Sequence, residues 1–261
     1  MPFRRTSIDS NQRTGFYSPK RSRVVGSRQV APRDPNFSSV SLLLHMNGTN
    51  GSNTFTDSSL NNFSVTAVGN AQISNAQSKF GGTSAYFDGA GDGLSLSSNA
   101  AFGFGTGAFT AELFLFLTAN GVAGGTTIFD FRTGLTGTPW TFYVKNTGSG
   151  NGLGMYYATG TGFVEWLAAG QYLSLNQWYH VALVRDGSVY KAFLEGTQLT
   201  TVSAGSASAV DLGTPKPLTI GIAADNSTAP ITGYIDELRI TKGVTRYTTN
   251  FTPPSSPFPD Q

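Results

Sequence analysis

Residues 177–202 read QWYHVALVRDGSVYKAFLEGTQLTTV, and this stretch decides the fold class. From Trp178 to Arg185, every second side chain would lie on the same face of an extended chain, which is the two-residue period expected of a β-strand. Asp186-Gly187 and Glu195-Gly196 then supply turn residues between further short apolar runs. The stretch therefore predicts three antiparallel strands in a meander.

The same pattern extends outward over residues 40–252. About fourteen short apolar runs alternate there with Gly, Asn, Asp, Ser and Thr, and none of them continues as a long amphipathic helix. This arrangement is typical of an all-β, antiparallel sandwich or barrel of one domain. The following residues 253–261 are rich in proline, so we expect them to form an extended C-terminal tail.

Composition excludes several kinds of site. The chain has 261 residues and no cysteine, which rules out disulfide scaffolds, zinc sites built on cysteine and thiol catalysis. No stretch approaches the roughly 20 apolar residues of a membrane span, so no membrane partner is expected. The apolar run of a secretory signal is also absent from the basic start of the chain.

Charge is distributed unevenly along the chain. Residues 1–39 hold eight Lys and Arg against two Asp, a net charge of +6, whereas residues 40–261 hold nine against thirteen, a net charge of −4. Residues 1–39 also contain four prolines and few aliphatic side chains, so we expect an extended basic arm that binds a partner. The partner-binding residues predicted in the arm are Phe3, Arg4, Arg5, Arg13, Phe16, Tyr17, Arg21, Arg23 and Arg28. The arm could instead contact nucleic acid phosphates without reading sequence, or be a solvated tail.

Four segments in order resemble a known family. They are GGTSAYFDG (81–89), FTAE (109–112), NQWYHVALVRDG (176–187) and GYIDELRI (233–240). Together they resemble concanavalin A-like lectin/glucanase domains of the laminin-G-like kind, which implies a jelly-roll sandwich. The segments TKGVTRY (241–247) and NFTPP (250–254) further resemble versions of this domain in structural proteins of tailed bacteriophages. This chain departs from the family at Phe114, where a tryptophan is common.

The sequence does not favour an enzyme. Glucanases of the resembling superfamily carry a Glu-x-Asp-x-x-Glu triad on one strand, but Glu112 is followed by apolar residues. The neighbouring carboxyls of Asp236 and Glu237 should point to opposite faces of a strand. Because glycoside hydrolysis needs two carboxyl groups across the scissile bond, hydrolase activity is the least favoured interpretation.

Asp236 is a candidate metal ligand. By strand alternation it shares a face with Leu238 and Ile240, and a carboxylate on an apolar face needs donors or a cation. The resemblance implies a structural calcium ion, for which Asp57 and backbone oxygens near Gly82 would be the other ligands. The alternative is that Asp236 accepts backbone N–H groups at a turn.

The segment 109–117 is apolar on both faces, with Phe114 and Phe116 on the second face. A strand of a sandwich has one inner face, so the second must meet another element. We expect a neighbouring subunit or its arm to cover Phe114 and Phe116, with a sugar site as the alternative.

These observations predict a non-enzymatic virion structural protein of a tailed phage. Its arm would attach it to a capsid or tail protein, and the sandwich would project as a decoration or an adhesin for a host-surface glycan. A homo-oligomer is compatible with this interpretation, whereas sequence-specific binding of nucleic acid is not expected. The alternative is a carbohydrate-binding module of a larger assembly.

Overall fold

The computed structural model describes residues 1–3, 33–134, 140–159, 162–187, 189–203 and 216–261. The chain forms two compact units, Met1–Ala31 and Pro32–Gln261. In the first unit, the described side chains of Met1 and Phe3 are exposed. The other predicted arm residues, from Arg4 to Arg28, lie outside the described part of the chain.

The described residues of the second unit lie mainly in strands, and two single-turn 3-10 helices occur among them at Phe37–Ser39 and Ala100–Phe102. Among the described residues, no helix is long and apolar enough to cross a membrane. The described strands are β1 (Val40–Leu44), β2 (Thr66–Val68), β3 (Gln72–Ser74), β4 (Ser84–Asp88), β5 (Gly93–Asn99), β6 (Phe109–Leu117), β7 (Thr126–Asp130), β8 (Trp140–Asn146), β9 (Asn151–Thr159), β10 (Gly162–Ala169), β11 (Trp178–Asp186), β12 (Val189–Leu194), β13 (Thr197–Gln198), β14 (Thr200–Ser203), β15 (Lys216–Ile220) and β16 (Thr232–Lys242).

These strands form two antiparallel sheets. The first has the order β13-β12-β11-β6-β16-β4-β3, with β1 also paired to β16. The second has the order β14-β10-β9-β8-β7-β15-β5-β2. Leu113 and Leu115 of β6 and Phe142 of β8 are among the fully buried side chains of one shared core, as the alternation of each strand requires. The predicted all-β sandwich is therefore confirmed.

The predicted meander is correct for only part of its length. β11, β12 and β13 are neighbours in the first sheet, but β14 pairs with β10 in the second. Only Leu199 separates β13 from β14, and its side chain is buried. The chain thus passes from one sheet to the other where a single third strand was predicted.

A bulge in β16 changes which side chains face the core. The register of β16 against β6 shifts between Asp236 and Arg239, and Glu237 has a φ of +48°. Leu238 and Ile240 pack in the core, whereas Asp236 and Glu237 both contact the outer layer of the first sheet. The predictions that Asp236 shares a face with Leu238, and that the two carboxyls point to opposite faces, are therefore wrong. Simple alternation fails across the extra residue of a bulge.

The outer face of the first sheet is covered by the chain itself. Residues 33–39 and 244–261 lie over it, and the Asp34 amide donates to the Gln261 carbonyl at 2.9 Å. The residues assigned to the end of the arm and to the C-terminal tail are therefore part of the compact unit. Phe258 is buried against Phe114, which is only 1% exposed, and Phe116 is 7% exposed. The prediction that a neighbouring subunit covers Phe114 and Phe116 is wrong, because intramolecular packing already does so.

Candidate functional site

A pocket of about 190 Å³ lies on the outer face of the second sheet. Its base consists of side chains from β7, β8 and β9, and its rim is formed by the loops at 121–125 and 223–229. Its lining residues are Gly124, Gly125, Thr127, Arg132, Thr141, Tyr143, Tyr156, Ala223, Thr228 and Ala229. We call this the tyrosine pocket.

Two stacked rings form its aromatic wall. Tyr143 and Tyr156 lie 5.0 Å apart between ring centroids, with 25° between their planes. Tyr143 is 2% exposed and Tyr156 is half-buried, so Tyr156 presents the ring surface that a ligand can contact. A Cβ on Gly154 would lie 2.6 Å from Cζ of Tyr143, and one on Gly125 would lie 2.9 Å from its Cδ2. The two glycines therefore leave the space in which the Tyr143 ring lies.

An ion pair beside the wall fixes the hydroxyl of Tyr143. The hydroxyl donates to Oε1 of Glu165 at 2.5 Å, and Lys145 donates to the same oxygen at 2.7 Å. Burial, followed by the hydrogen bond to Glu165, raises the pKa of Tyr143 well above its ordinary value. Burial opposes ionisation of Glu165, but the hydrogen bonds from Lys145 and Tyr143 lower its pKa overall. Tyr143 is therefore a neutral donor held in one orientation.

The cation that lines the pocket is itself held by a buried carboxylate. Nε of Arg132 lies 2.9 Å from Oδ1 of Asp130, and Nη2 lies 2.6 Å from Oδ2. The backbone amides of Arg132 and Ala224 also donate to this carboxylate, at 2.9 and 3.0 Å. Asp130 is fully buried, so it fixes the guanidinium and attaches the 223–229 loop to the end of β7.

The opposite side of the pocket is small and partly apolar. Ala223 and Ala229 supply methyl groups there, and the amide of Thr127 donates to the carbonyl of Ala229 at 2.9 Å. Thr228 is exposed at the rim. The pocket therefore suits a ligand that offers both C–H surface and hydroxyl groups. Its own groups are a tyrosine face, hydroxyl groups, a guanidinium and small side chains.

No Asp, Glu or His is present among the described residues that line the pocket. The nearby carboxylates of Asp130 and Glu165 are engaged by Arg132 and by Lys145 with Tyr143. The described lining of the tyrosine pocket thus lacks the two carboxyl groups that glycoside hydrolysis needs across the scissile bond.

Each carboxylate predicted to bind calcium accepts backbone amides. Asp57 accepts backbone amides of Leu43, Ser59 and Phe63 at 2.9–3.0 Å. Asp236 accepts those of Lys79, Phe80 and Glu237 at 2.7–3.0 Å.

At Gly82, whose neighbouring backbone oxygens were the other predicted ligands, the amide donates to the hydroxyl of Ser78. Among the described residues, no group of three or more His, Asp and Glu side chains is placed to hold a metal. The hydrogen bonds are those of the alternative interpretation, in which Asp236 accepts backbone N–H groups. Structural calcium stays a prediction.

Sequence reasoning missed a buried charge network beneath the C-terminal segment. Oε1 of Glu112 accepts Nε and Nη2 of Arg239 at 2.9 and 2.8 Å, and Oε2 accepts the hydroxyl of Tyr247 at 2.7 Å. Asp34 pairs with Arg239 at 3.1 Å and with Arg246 at 2.6 Å. The available signal was Glu112 itself, an ionisable residue inside an apolar strand, which must find a partner when buried. The network is a structural clamp that holds both chain ends of the unit on the first sheet.

Comparisons with known proteins agree with this architecture. The sequence model of a family described as the Concanavalin A-like lectin/glucanases superfamily matches residues 88–246, which is more than half of the chain. No curated protein matches the sequence significantly.

Solved structures share the fold at low sequence identity. The binding domain of Paraclostridial Mosquitocidal Protein 1 superposes with a TM-score of 0.59 and 12% identity, over 80% of this chain and 50% of that one. The Botulinum neurotoxin serotype D binding domain gives a TM-score of 0.57 and 15% identity, over 80% and 49%. This chain thus spans about half the length of these two proteins.

A third structure is matched over nearly its whole length. It is domain 4 of AbnA, a GH43 extracellular arabinanase from Geobacillus stearothermophilus in complex with arabinotriose, with a TM-score of 0.54 and 17% identity over 79% of this chain and 94% of that one. The predicted family is confirmed by the sequence match, and the jelly-roll fold by the structures. The chain belongs to the Concanavalin A-like lectin/glucanases superfamily and is a lectin-like jelly-roll domain.

Proposed function

We propose that this protein is a non-enzymatic binding domain that holds a glycan in the tyrosine pocket. The observation that carries the proposal is the half-buried ring of Tyr156, stacked on Tyr143 beside Arg132 at a pocket without lining carboxylates. Sugar rings offer C–H surface to an aromatic face and hydroxyl groups to polar neighbours, so this chemistry fits them. The arabinotriose complex of the similar arabinanase domain supports the same ligand class.

A glycan array followed by titration of the bound glycans tests the proposal. Tyr156→Ala should lower affinity at least about tenfold, because the ring is the main ligand-facing surface. Tyr86→Ala is the matched control, since Tyr86 is also half-buried but packs at a tilt against Tyr234 on the other sheet. Equal affinity of Tyr156→Ala and the wild type, with both variants folded, would place binding elsewhere. Absence of any bound glycan would refute the proposal.

The second part of the proposal is that the basic arm attaches the domain to a virion of a tailed phage. It is supported by the opposite net charges of residues 1–39 and 40–261 and by the phage-like segments at 241–247 and 250–254. In this role, the arm binds a capsid or tail protein and the sandwich displays the tyrosine pocket to the host surface.

Particle incorporation tests the attachment. Arg21→Glu with Arg23→Glu should reduce the copy number on particles, most strongly at low salt, because salt screens exposed charges. Arg21→Lys with Arg23→Lys keeps the charge and is the control. Normal incorporation of a chain lacking residues 1–32 would show that the arm is not the attachment.

A further inference from the structure

Two ion pairs within the protein border the tyrosine pocket. Arg132 directs Nε and Nη2, the edge of a guanidinium that forms bidentate bonds to carboxylates, at the buried Asp130. On the other side, Lys145 lies 2.7 Å from Glu165. In the described part of the chain, Arg132 and Lys145 are therefore each matched by an anion of the protein.

This pairing disfavours an acidic ligand. A carboxylate in the pocket would have to replace Asp130 at the Nε and Nη2 edge of Arg132, or lie close to it as a second negative charge. Replacement would leave Asp130, which is fully buried, without its cation, and a buried unpaired carboxylate is strongly unfavourable. A neutral hydroxyl group needs no such exchange.

The size of the pocket limits how much of a glycan it can enclose. Its volume of about 190 Å³ is below the roughly 300–1,000 Å³ of sites for larger ligands. The 223–229 loop closes one side through the backbone bond between Thr127 and Ala229, and the loop at 121–125 borders another. A pocket of this size and enclosure accepts a single sugar ring rather than a stretch of chain.

We infer that the tyrosine pocket binds one uncharged sugar ring at the end of a glycan and discriminates against acidic sugars. The inference rests on the proposed function and specifies its ligand class. Arg132 and Asp130 are the positions that determine the preference for a neutral sugar, and the Tyr156 ring supplies the stacking surface.

Paired ligands test the charge preference. The probes are the methyl glycosides of glucose, galactose and mannose, each against its uronic acid, and the methyl glycoside of N-acetylneuraminic acid. The best-bound neutral glycoside should bind at least about tenfold more tightly than its uronic acid, because a like charge beside Asp130 is costly. Its affinity should change little between low and high salt, since no net charge is matched. Tighter binding of an acidic probe would overturn the inference and leave the proposed function intact.

A length series tests the single-ring limit. Going from the best-bound monosaccharide to its di-, tri- and tetrasaccharide should raise affinity less than about tenfold in total. A stepwise gain with each added sugar would overturn end recognition while supporting glycan binding. Absence of binding by every saccharide in both series would refute the inference together with the proposed function.

The variant Asp130→Asn tests the mechanism of discrimination. It removes the competing carboxylate, so the ratio of neutral to acidic affinity should fall at least about threefold. Asp225→Asn, on the 223–229 loop, is the control and should leave the ratio unchanged. An unchanged ratio in folded Asp130→Asn would contradict the role of the pair. If this variant fails to fold, the wild-type ratio and its salt dependence still decide the question.

Discussion

Glu112 and Arg239 are cross-strand partners on β6 and β16, and two nitrogens of the arginine lie 2.8 and 2.9 Å from one oxygen of the glutamate. The bulge in β16 creates this pairing, since without the extra residue Leu238 would stand opposite Glu112. The guanidinium also lies 3.9 Å from the centre of the Phe258 ring. One pair thus connects the centre of the first sheet to the C-terminal segment above it.

We predict that Glu112→Gln lowers the free energy of unfolding by about 3–5 kcal/mol, because it leaves the charge of Arg239 partly uncompensated in the interior. Urea denaturation measures the effect. Asp186→Asn is the control: Asp186 pairs with Lys191 but its side chain is 42% exposed, so the loss should be at most about 1 kcal/mol. Equal losses in the two variants would contradict the structural role of Glu112.

We predict that acid weakens the fold through the same residue. Burial disfavours the ionised form of Glu112, but Arg239 and His180 outweigh it and lower its pKa from 4.5 to about 2. The folded state therefore favours the carboxylate. Its contribution, about 3 kcal/mol, is complete above pH 4.5 and is lost as the pH falls toward 2. Urea midpoints between pH 2 and 6 should show this slope in the wild type and a smaller one in Glu112→Gln.

Two truncations should separate the arm from the sandwich. A chain that lacks residues 1–32 should keep the melting temperature of the second unit. A chain that lacks residues 1–36 also loses Asp34 and its ion pairs with Arg239 and Arg246, so its melting temperature should fall by at least about 5 °C. Asp34→Ala in the full chain should reproduce the fall. Identical melting of the two truncations would show that Asp34 contributes little.

We predict that Asp236→Ala destabilises by more than about 2 kcal/mol, because three backbone amides lose their acceptor. Asp225→Ala, in which the carboxyl binds an exposed turn, should cost about 1 kcal/mol or less. Burial raises the pKa of Asp236 from 3.8 to about 7, so its contribution is complete below pH 3.8 and is lost as the pH rises toward 7. Stability of the wild type relative to Asp236→Asn should fall over that range.

The wild type and the Asp236→Ala variant also test the calcium prediction. If calcium binds at Asp236, excess calcium should raise the melting temperature of the wild type but not that of Asp236→Ala, and a chelator should reverse the gain. Melting that responds to neither addition would refute the metal and leave the hydrogen bonds as the whole role of Asp236.

A further prediction concerns Gly154, whose lack of a side chain leaves space for the Tyr143 ring. Gly154→Ala would place a methyl group 2.6 Å from Cζ of Tyr143, so the ring must move, at a cost of about 1–3 kcal/mol and with weaker glycan binding. Gly152→Ala on the same strand is the control, because its nearest contact would be an ordinary 3.4 Å. Unfolding curves and glycan titrations of both variants check the prediction. Equal binding by the two would show that the ring position is unimportant.

Local sequence patterns were sufficient to predict the class of fold and the position of most strands. Alternation from Trp178 to Arg185 and the turn at Glu195-Gly196 required only local rules, since a strand exposes side chains to its two faces in turn. Both Glu195 and Gly196 have positive φ, as such a turn demands. The predicted need of Phe114 for a second covering layer was also local, because both faces of β6 are apolar.

The segments that pack against each face of a strand could not be predicted in this way, because they depend on long-range contacts. Phe258 covers Phe114 through a contact between segments that are far apart in sequence. The bulge at Glu237 shifts the alternation of side chains by one residue, and no local sequence pattern predicts it. The tyrosine pocket joins Arg132, Tyr156 and Ala229, which no spacing along the chain connects. Period-two patterns specify which side chains share a face, but the choice of neighbouring strands and covering segments arises from packing between residues far apart in sequence.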